Sequence, residues 1–189
     1  MRVITLHPDD FDVACQKLAA SIHPFNPQVI IGILHGGGEV GRRLAAYLPE
    51  ATYTEVLLHR GNKAKKATFK RLLRVLPTSI ADMLRRIEMK RVQRKPICSK
   101  SIELPTDVAN ILKSSQLSNI LIVDDAVDSG ATLKAVVEAV SRTASKAHIR
   151  SAVLTVTTSS PAISPDYALW RGDTLIRFPW SFDYNTHRK

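Results

Sequence analysis

Three acids fall within five positions, at Asp124, Asp125 and Asp128, and Ser129-Gly130-Ala131-Thr132 follows at once. Adjacent carboxylates offer acceptors to the vicinal hydroxyls of a sugar, and they offer oxygen to a hard cation such as Mg²⁺ that keeps much of its own water. A Ser-Gly-x-Thr turn opening a helix offers hydroxyls and successive backbone N–H groups, the donors a phosphate needs. Taken singly, each acid could be a loop carboxylate or a helix cap. Together, at this spacing, they favour a ligand site over a purely structural role. A second candidate is His35-Gly36-Gly37-Gly38, where glycines permit close backbone approach and positive φ. It reads either as a second phosphate cradle or as a tight turn with no ligand. No lysine-bearing P-loop pattern occurs in the chain, which disfavours hydrolysis of a nucleoside triphosphate.

Both stretches follow aliphatic runs. Ile120-Leu121-Ile122-Val123 reads as a strand buried on both faces and ending in the acids, and Gln28 to Leu34 reads as another, ending in the glycines. Helical spacing marks Leu6 to Ile22, about Glu39 to Tyr47, a segment capped by Thr106 or Asp107 with Val108, Ile111 and Leu112 inside, and Ala131 to Val140. Thr52 to Leu58 and His148 to Val156 complete the strands, and Thr157 to Pro165 is a polar loop. Thr174 to Trp180 is a short strand or edge segment closed by aromatics. Strands alternating with helices predict an α/β fold with a mainly parallel central sheet flanked by helices. Ligands of such sheets bind beyond the carboxyl ends of the strands, where both candidate stretches lie.

The 189 residues suit one domain. The net charge of +10 is unevenly spread: Arg60 to Lys100 holds fourteen Lys or Arg against Asp82 and Glu88. The basic character therefore belongs to an insertion and not to the fold. Within it, Phe69, Leu72, Leu73 and Leu76, then Ile80, Met83, Leu84 and Ile87, repeat at helical spacing around Pro77, which predicts a hairpin of two basic helices. It reads as a solvated face whose apolar stripe packs on the core or on a second subunit, or as an attractor of a polyanionic substrate, RNA or another acidic partner. It carries no recognised nucleic-acid motif. Cys15 and Cys98 lack metal-ligand spacing, no secretory leader is recognisable, and no apolar run reaches the roughly 20 residues of a membrane span. The expectation is a reduced, cytoplasmic protein outside the membrane.

The run from Ile120 to Leu133 resembles, position by position, the phosphoribosyl-pyrophosphate (PRPP) motif of the type I phosphoribosyltransferases. Pro27 to Ala46, with Ile-Leu-His-Gly-Gly, resembles the pyrophosphate loop of that family. Pro165-Asp166-Tyr167 through Phe178-Pro179-Trp180 resembles the tail of its purine members, those using xanthine, guanine or hypoxanthine. The resemblance implies a single phosphoribosyltransferase domain over residues 1–189, with a small C-terminal hood at about 157–184 and the basic insertion where the family carries its mobile loop. It implies an enzyme that joins a base, most closely a 6-oxopurine, to PRPP with Mg²⁺ and releases pyrophosphate. It assigns the ribose and the metal to Asp124 and Asp125, and the 5′-phosphate to Asp128, Ser129, Gly130, Ala131 and Thr132. Asp128 is also the group expected to take a proton from the base. His35, Gly36, Gly37 and Arg60 are expected on pyrophosphate, Leu175, Ile176 and Trp180 on the base, and a homodimer is the expected assembly. The chain departs from the family pattern in three ways. His35 stands where Arg or Lys is usual before the glycine pair, with Arg60 placed to compensate. No lysine falls in Thr157 to Ser159 to reach a purine's exocyclic oxygen, and no aromatic falls near Leu175 to stack on the base. The alternative is a PRPP-binding regulatory protein, or an RNA-binding protein, on the same fold.

Overall fold

The computed structural model describes residues 2–57, 102–113, 117–172, 174–181 and 184. The basic segment from Arg60 to Lys100, with its expected helical hairpin, lies outside them.

Five parallel strands form the main sheet, in the order β3 (Thr52–Val56), β2 (Val29–Ile33), β4 (Asn119–Val127), β5 (His148–Val156) and β6 (Tyr167–Arg171). Val29–Ile31 and Ile33 of β2 and Ile120–Val123 of β4 are aliphatic and buried for a physical reason, since both faces of the sheet are covered there. On one face Ile30, Leu121, Val123, Ala152 and Leu154 pack against helices α1 (Pro8–Ile22) and α2 (Gly36–Tyr47). On the other, Ile31, Ile120, Ile122 and Val153 pack against α3 (Thr106–Leu112) and α4 (Ala131–Thr143). The period-2 alternation of side chains lets one strand feed two cores. Leu18, Ile22, Ile30, Leu44, Leu121 and Leu154 are fully buried in the first core and Ile31, Ile120, Ile122 and Leu133 in the second.

A separate two-stranded parallel sheet joins β1 (Arg2–Thr5) to β7 (Thr174–Arg177). Chain ends far apart in sequence thus meet over one side of the main sheet, extended by the bond from the Leu6 N–H to the Arg177 carbonyl. Neither β1 nor β6 was expected from the sequence. Both are short, and β6 places Tyr167–Arg171 at the edge of the main sheet beside β5.

Three boundaries differ from the sequence expectation in ways that bear on the site. β4 does not stop at its acids: it runs through Asp124 and Asp125 to Val127, paired to β5 by Asp124 with Val153 and Val127 with Val156. Helix α2 begins at Gly36, so the glycines are its first turn and not a loop before it. Helix α3 is preceded by Pro105 at the N-cap, and Thr106 and Asp107 lie inside its first turn instead of capping it. Among the described residues, no helix is long and apolar enough to cross a membrane.

Candidate active site

The parallel register brings the two chemical stretches together. Gly32 of β2 lies opposite Val123 of β4, so the next residues of both strands, the turn into α2 and the acid pair, emerge side by side. The contact is close enough to demand glycine. A Cβ on Gly36 would overlap the Asp125 carboxylate, and a Cβ on Gly37 would sit 2.6 Å from the Val123 carbonyl oxygen and 2.7 Å from the Asp124 Cα. Here the glycines serve close approach and not a positive φ. His35 is the exposed N-cap of α2, reached through a cis Leu34–His35 peptide, and its side chain makes no capping bond. The first turn of a helix has no intrahelical partner for its N–H groups and carries the positive end of the helix dipole. The face of Gly36–Gly38 that meets the acids is therefore suited to anionic oxygen. Tyr53 on β3 steadies this turn, its hydroxyl lying 2.8 Å from the Gly38 carbonyl and 2.6 Å from Glu55 Oε1. Arg42 of α2 closes the set, bonding Glu39 and Glu55 at 3.0 Å each; the Tyr53 hydroxyl, more than Arg42, holds the Glu55 carboxyl below its ordinary range.

Asp124 and Asp125 have different surroundings because successive strand residues face opposite sides. Asp124 is 8 % exposed, and its Oδ1 accepts the Asp125 N–H at 2.9 Å. Asp125 Oδ2 accepts the Trp180 indole N–H at 3.3 Å. Burial pushes the Asp125 carboxyl above the usual carboxylate range, against the lowering influence of its bonds to Asp124 and Trp180. Among the described residues, no cluster of three or more His, Cys, Asp or Glu side chains is placed to hold a metal by protein ligands alone. An adjacent carboxylate pair fits Mg²⁺ all the same, because that ion commonly takes one or two carboxylates, water and substrate phosphate oxygens.

Beyond β4, Gly130 adopts φ +75° and caps α4, a left-handed conformation that disfavours any residue with a Cβ. It is also crowded: a Cβ there would lie 3.0 Å from the Ala162 nitrogen and 3.1 Å from the Ile163 nitrogen. The Ala162 N–H donates to the Ser129 carbonyl at 2.8 Å, and the Ala131 N–H reaches Ser129 Oγ at 3.4 Å. The loop after β5 is thus a second wall holding the Ser129-to-Thr132 turn at the N-terminus of a helix of 13 residues. Arg171 anchors that wall through the Pro165 carbonyl at 2.9 Å and Ser164 Oγ at 3.3 Å. Sequence reasoning missed this support, since a backbone contact leaves no residue-type signature.

The ladder sets Val127 opposite Val156, so the next residues, Asp128 and Thr157, are neighbours. Asp128 is exposed, and its Oδ1 accepts the Thr157 hydroxyl at 2.6 Å. Thr157 stood out in the sequence only as the start of a stretch without lysine.

The tail behaves otherwise. Ile176 is 5 % exposed and belongs to the core with Leu6, Phe11 and Phe178. Leu175, its neighbour on β7, is half-buried and lies opposite Val3 of β1. Trp180 stacks on Phe178, with ring centres 4.9 Å apart and planes 1° from parallel, and meets Phe11 edge-on at 5.0 Å. Its indole is held by the core on one side and by Asp125 at its nitrogen. Arg60 lies outside the described residues.

The parallel α/β sheet thus presses a carboxylate pair against a glycine-led helix start, beside a second helix start led by Ser-Gly-x-Thr. Comparison with known proteins gives the family. The family model described as the phosphoribosyl transferase domain matches residues 9–187, and the chain belongs to that family and is a phosphoribosyltransferase. Among solved structures, the purine phosphoribosyltransferase of Pyrococcus horikoshii is similar over 100% of this chain and 99% of its own, at 23% identity and TM-score 0.64. The xanthine-guanine-hypoxanthine phosphoribosyltransferase of Helicobacter pylori is similar over 96% and 95%, at 16% identity and TM-score 0.61. A hypothetical protein from Neisseria gonorrhoeae with bound ppGpp is similar over 98% and 91%, at 18% identity and TM-score 0.59. At these identities the likeness is one of fold. No curated protein matches the chain in sequence.

Proposed function

We propose that this chain transfers the 5-phosphoribosyl group of PRPP to a ring nitrogen of a 6-oxopurine or a closely related base, releasing pyrophosphate. The observation that carries the proposal is the contact of Gly36 and Gly37 with Asp125 and Asp124, which places a helix start suited to diphosphate against a carboxylate pair suited to ribose hydroxyls. The purine class rests on the Pyrococcus and Helicobacter neighbours and on the purine-like tail.

In this reading Asp124 and Asp125 bind the ribose hydroxyls and would hold Mg²⁺ through water. When bound, the ion neutralises charge on the diphosphate. The N–H groups of Gly36 and Gly37 receive the pyrophosphate, with His35 and Arg60 as further contacts. Ser129, Gly130, Ala131 and Thr132, with the Asp128 backbone N–H at their head, hold the 5′-phosphate end. The bond from C1′ to the pyrophosphate oxygen breaks with its electron pair leaving on oxygen. A nitrogen of the base supplies the pair for the new C1′–N bond, and its proton passes to Asp128, a transfer worth on the order of 10²- to 10⁴-fold in rate. Leu175 supplies an aliphatic edge for the base, and Trp180 acts through Asp125. The enzyme is expected to work as a dimer in the cytoplasm.

The test is pyrophosphate release from PRPP and Mg²⁺ with hypoxanthine, guanine, xanthine, adenine and uracil in turn. Turnover should be fastest with one of the 6-oxopurines. Faster turnover with adenine or uracil would overturn the base class. Turnover with none of them, alongside tight, salt-sensitive RNA binding, would replace the enzyme with an RNA-binding protein on this fold.

A further inference from the structure

We propose that Thr157 is a positioning residue for proton removal from the base: its hydroxyl fixes one oxygen of Asp128 and leaves the other to face the acceptor. The inference rests on the proton-accepting role given to Asp128 above and goes beyond it by naming what orients that carboxylate.

Three observations support it. First, Thr157 Oγ1 lies 2.6 Å from Asp128 Oδ1 and 3.4 Å from the Val127 carbonyl oxygen. A hydroxyl has one proton to give, and 2.6 Å is well inside hydrogen-bond range while 3.4 Å is at its limit, so the carboxylate receives it. Second, the bond is not needed to hold the two strands together. The Thr157 N–H already donates to the Val127 carbonyl at 3.0 Å, extending the β4–β5 ladder by its backbone alone. Third, Asp128 is on the exposed side of a turn, where a carboxylate would otherwise sample several rotamers; among the described residues, Thr157 is the only side chain bonded to it. A base that acts through geometry needs this restraint, because catalytic groups lose rate steeply when displaced by about an ångström.

The experiment is steady-state kinetics of the full chain with PRPP, Mg²⁺ and the 6-oxopurine that gives the fastest turnover. Thr157→Val keeps the shape and the backbone bond and removes the hydroxyl. It should lower kcat about tenfold with KM for PRPP changed by less than about twofold. Thr157→Ser should recover kcat to within about threefold of wild type. In an Asp128→Asn background, Thr157→Val should cost nothing further, because a residue acting through Asp128 has nothing left to position. Wild-type kcat in Thr157→Val would overturn the proposal, as would a full second loss in the double variant or failure of Ser to rescue. Should Thr157→Val fold poorly, Thr157→Ala in the same cycle decides in its place. The parent assignment fails separately: Asp128→Asn with wild-type kcat would remove the role of Asp128, whatever Thr157 does.

Discussion

The ends of β4 and of β7 both carry residues expected at the site, yet the fold treats them in opposite ways. At the end of β4 Asp124 is buried, Asp125 half-buried and Asp128 exposed, and neighbouring backbone is drawn against the acid pair and the Ser-Gly-x-Thr turn. Gly36, Gly37 and the Ala162–Ile163 peptide all come within contact distance. At β7 the side chains turn inward. Ile176 enters the core, and Trp180 is stacked on Phe178 with its nitrogen given to Asp125. In the proposed reading the donor half of the site is made largely of backbone, and the acceptor half borrows side chains that also hold the protein together. Donor binding is then expected to depend on a few positions that admit only glycine, and base choice on positions where packing already makes demands.

The largest effect separating the halves should come from Asp128→Asn. It is expected to lower kcat by on the order of 10²- to 10⁴-fold while PRPP affinity, measured by calorimetry, stays within about threefold. Equal loss of both would make Asp128 a binding residue and erase the distinction. Next come Gly36→Ala and Gly37→Ala, each of which drives a methyl into the acid pair. Each should raise KM for PRPP about tenfold or more and destabilise the fold by about 1–3 kcal/mol, read by kinetics and thermal unfolding. Near-wild-type KM in both would show that the close contact is incidental.

Asp125→Asn should pull function and stability in opposite directions. Burial holds the folded Asp125 carboxyl above its ordinary range, so the folded state favours the protonated form. That contribution is complete below the unfolded value and is lost as pH rises through the folded value. At neutral pH the neutral amide should raise the thermal midpoint by about 3 °C, the shift that about 1 kcal/mol brings in a chain of this length. The gain should shrink as pH falls, and PRPP binding should weaken sharply. A lower midpoint at neutral pH would refute the idea that the apo site carries a strained carboxylate. The smallest effect is expected from Trp180→Phe, which keeps an aromatic ring between Phe11 and Phe178 but gives up the bond to Asp125. It should cost about 1 kcal/mol of stability and leave the ranking of bases unchanged. A changed ranking would return Trp180 to direct contact with the base.

The same contrast explains what could be read from the chain. Strands β2 and β4 were legible because a strand buried on both faces reads as an aliphatic run, and β5 by the alternation along His148–Val156; the site acids stood out because three carboxylates after such a run have no packing reason. Strands β1 and β6 were not legible: Arg2–Thr5 and Tyr167–Arg171 are short, and they gain their partners β7 and β5 only from the tertiary fold. The glycines were legible as a turn but not as the first turn of α2, because the demand for glycine comes from Asp124 and Asp125, some ninety residues away. Thr157 gave no signal of its own. Its importance follows from the register that sets Val156 beside Val127, which a single sequence does not print. Leu175, Ile176 and Trp180 were grouped as base contacts by resemblance, and the alternation along β7 separates them: Ile176 inward and Leu175 on the opposite face.

If the end of β4 fixes a phosphoribosyl donor whose C1′ is handed to a nitrogen of a base, phosphorus and proton NMR of one reaction containing the protein, PRPP, Mg²⁺ and the preferred 6-oxopurine should show it. Pyrophosphate and a nucleoside 5′-monophosphate should appear in equal amounts, with the new bond from C1′ to a ring nitrogen. Pyrophosphate accompanied only by free ribose 5-phosphate, or PRPP bound and left intact with every base, would contradict it.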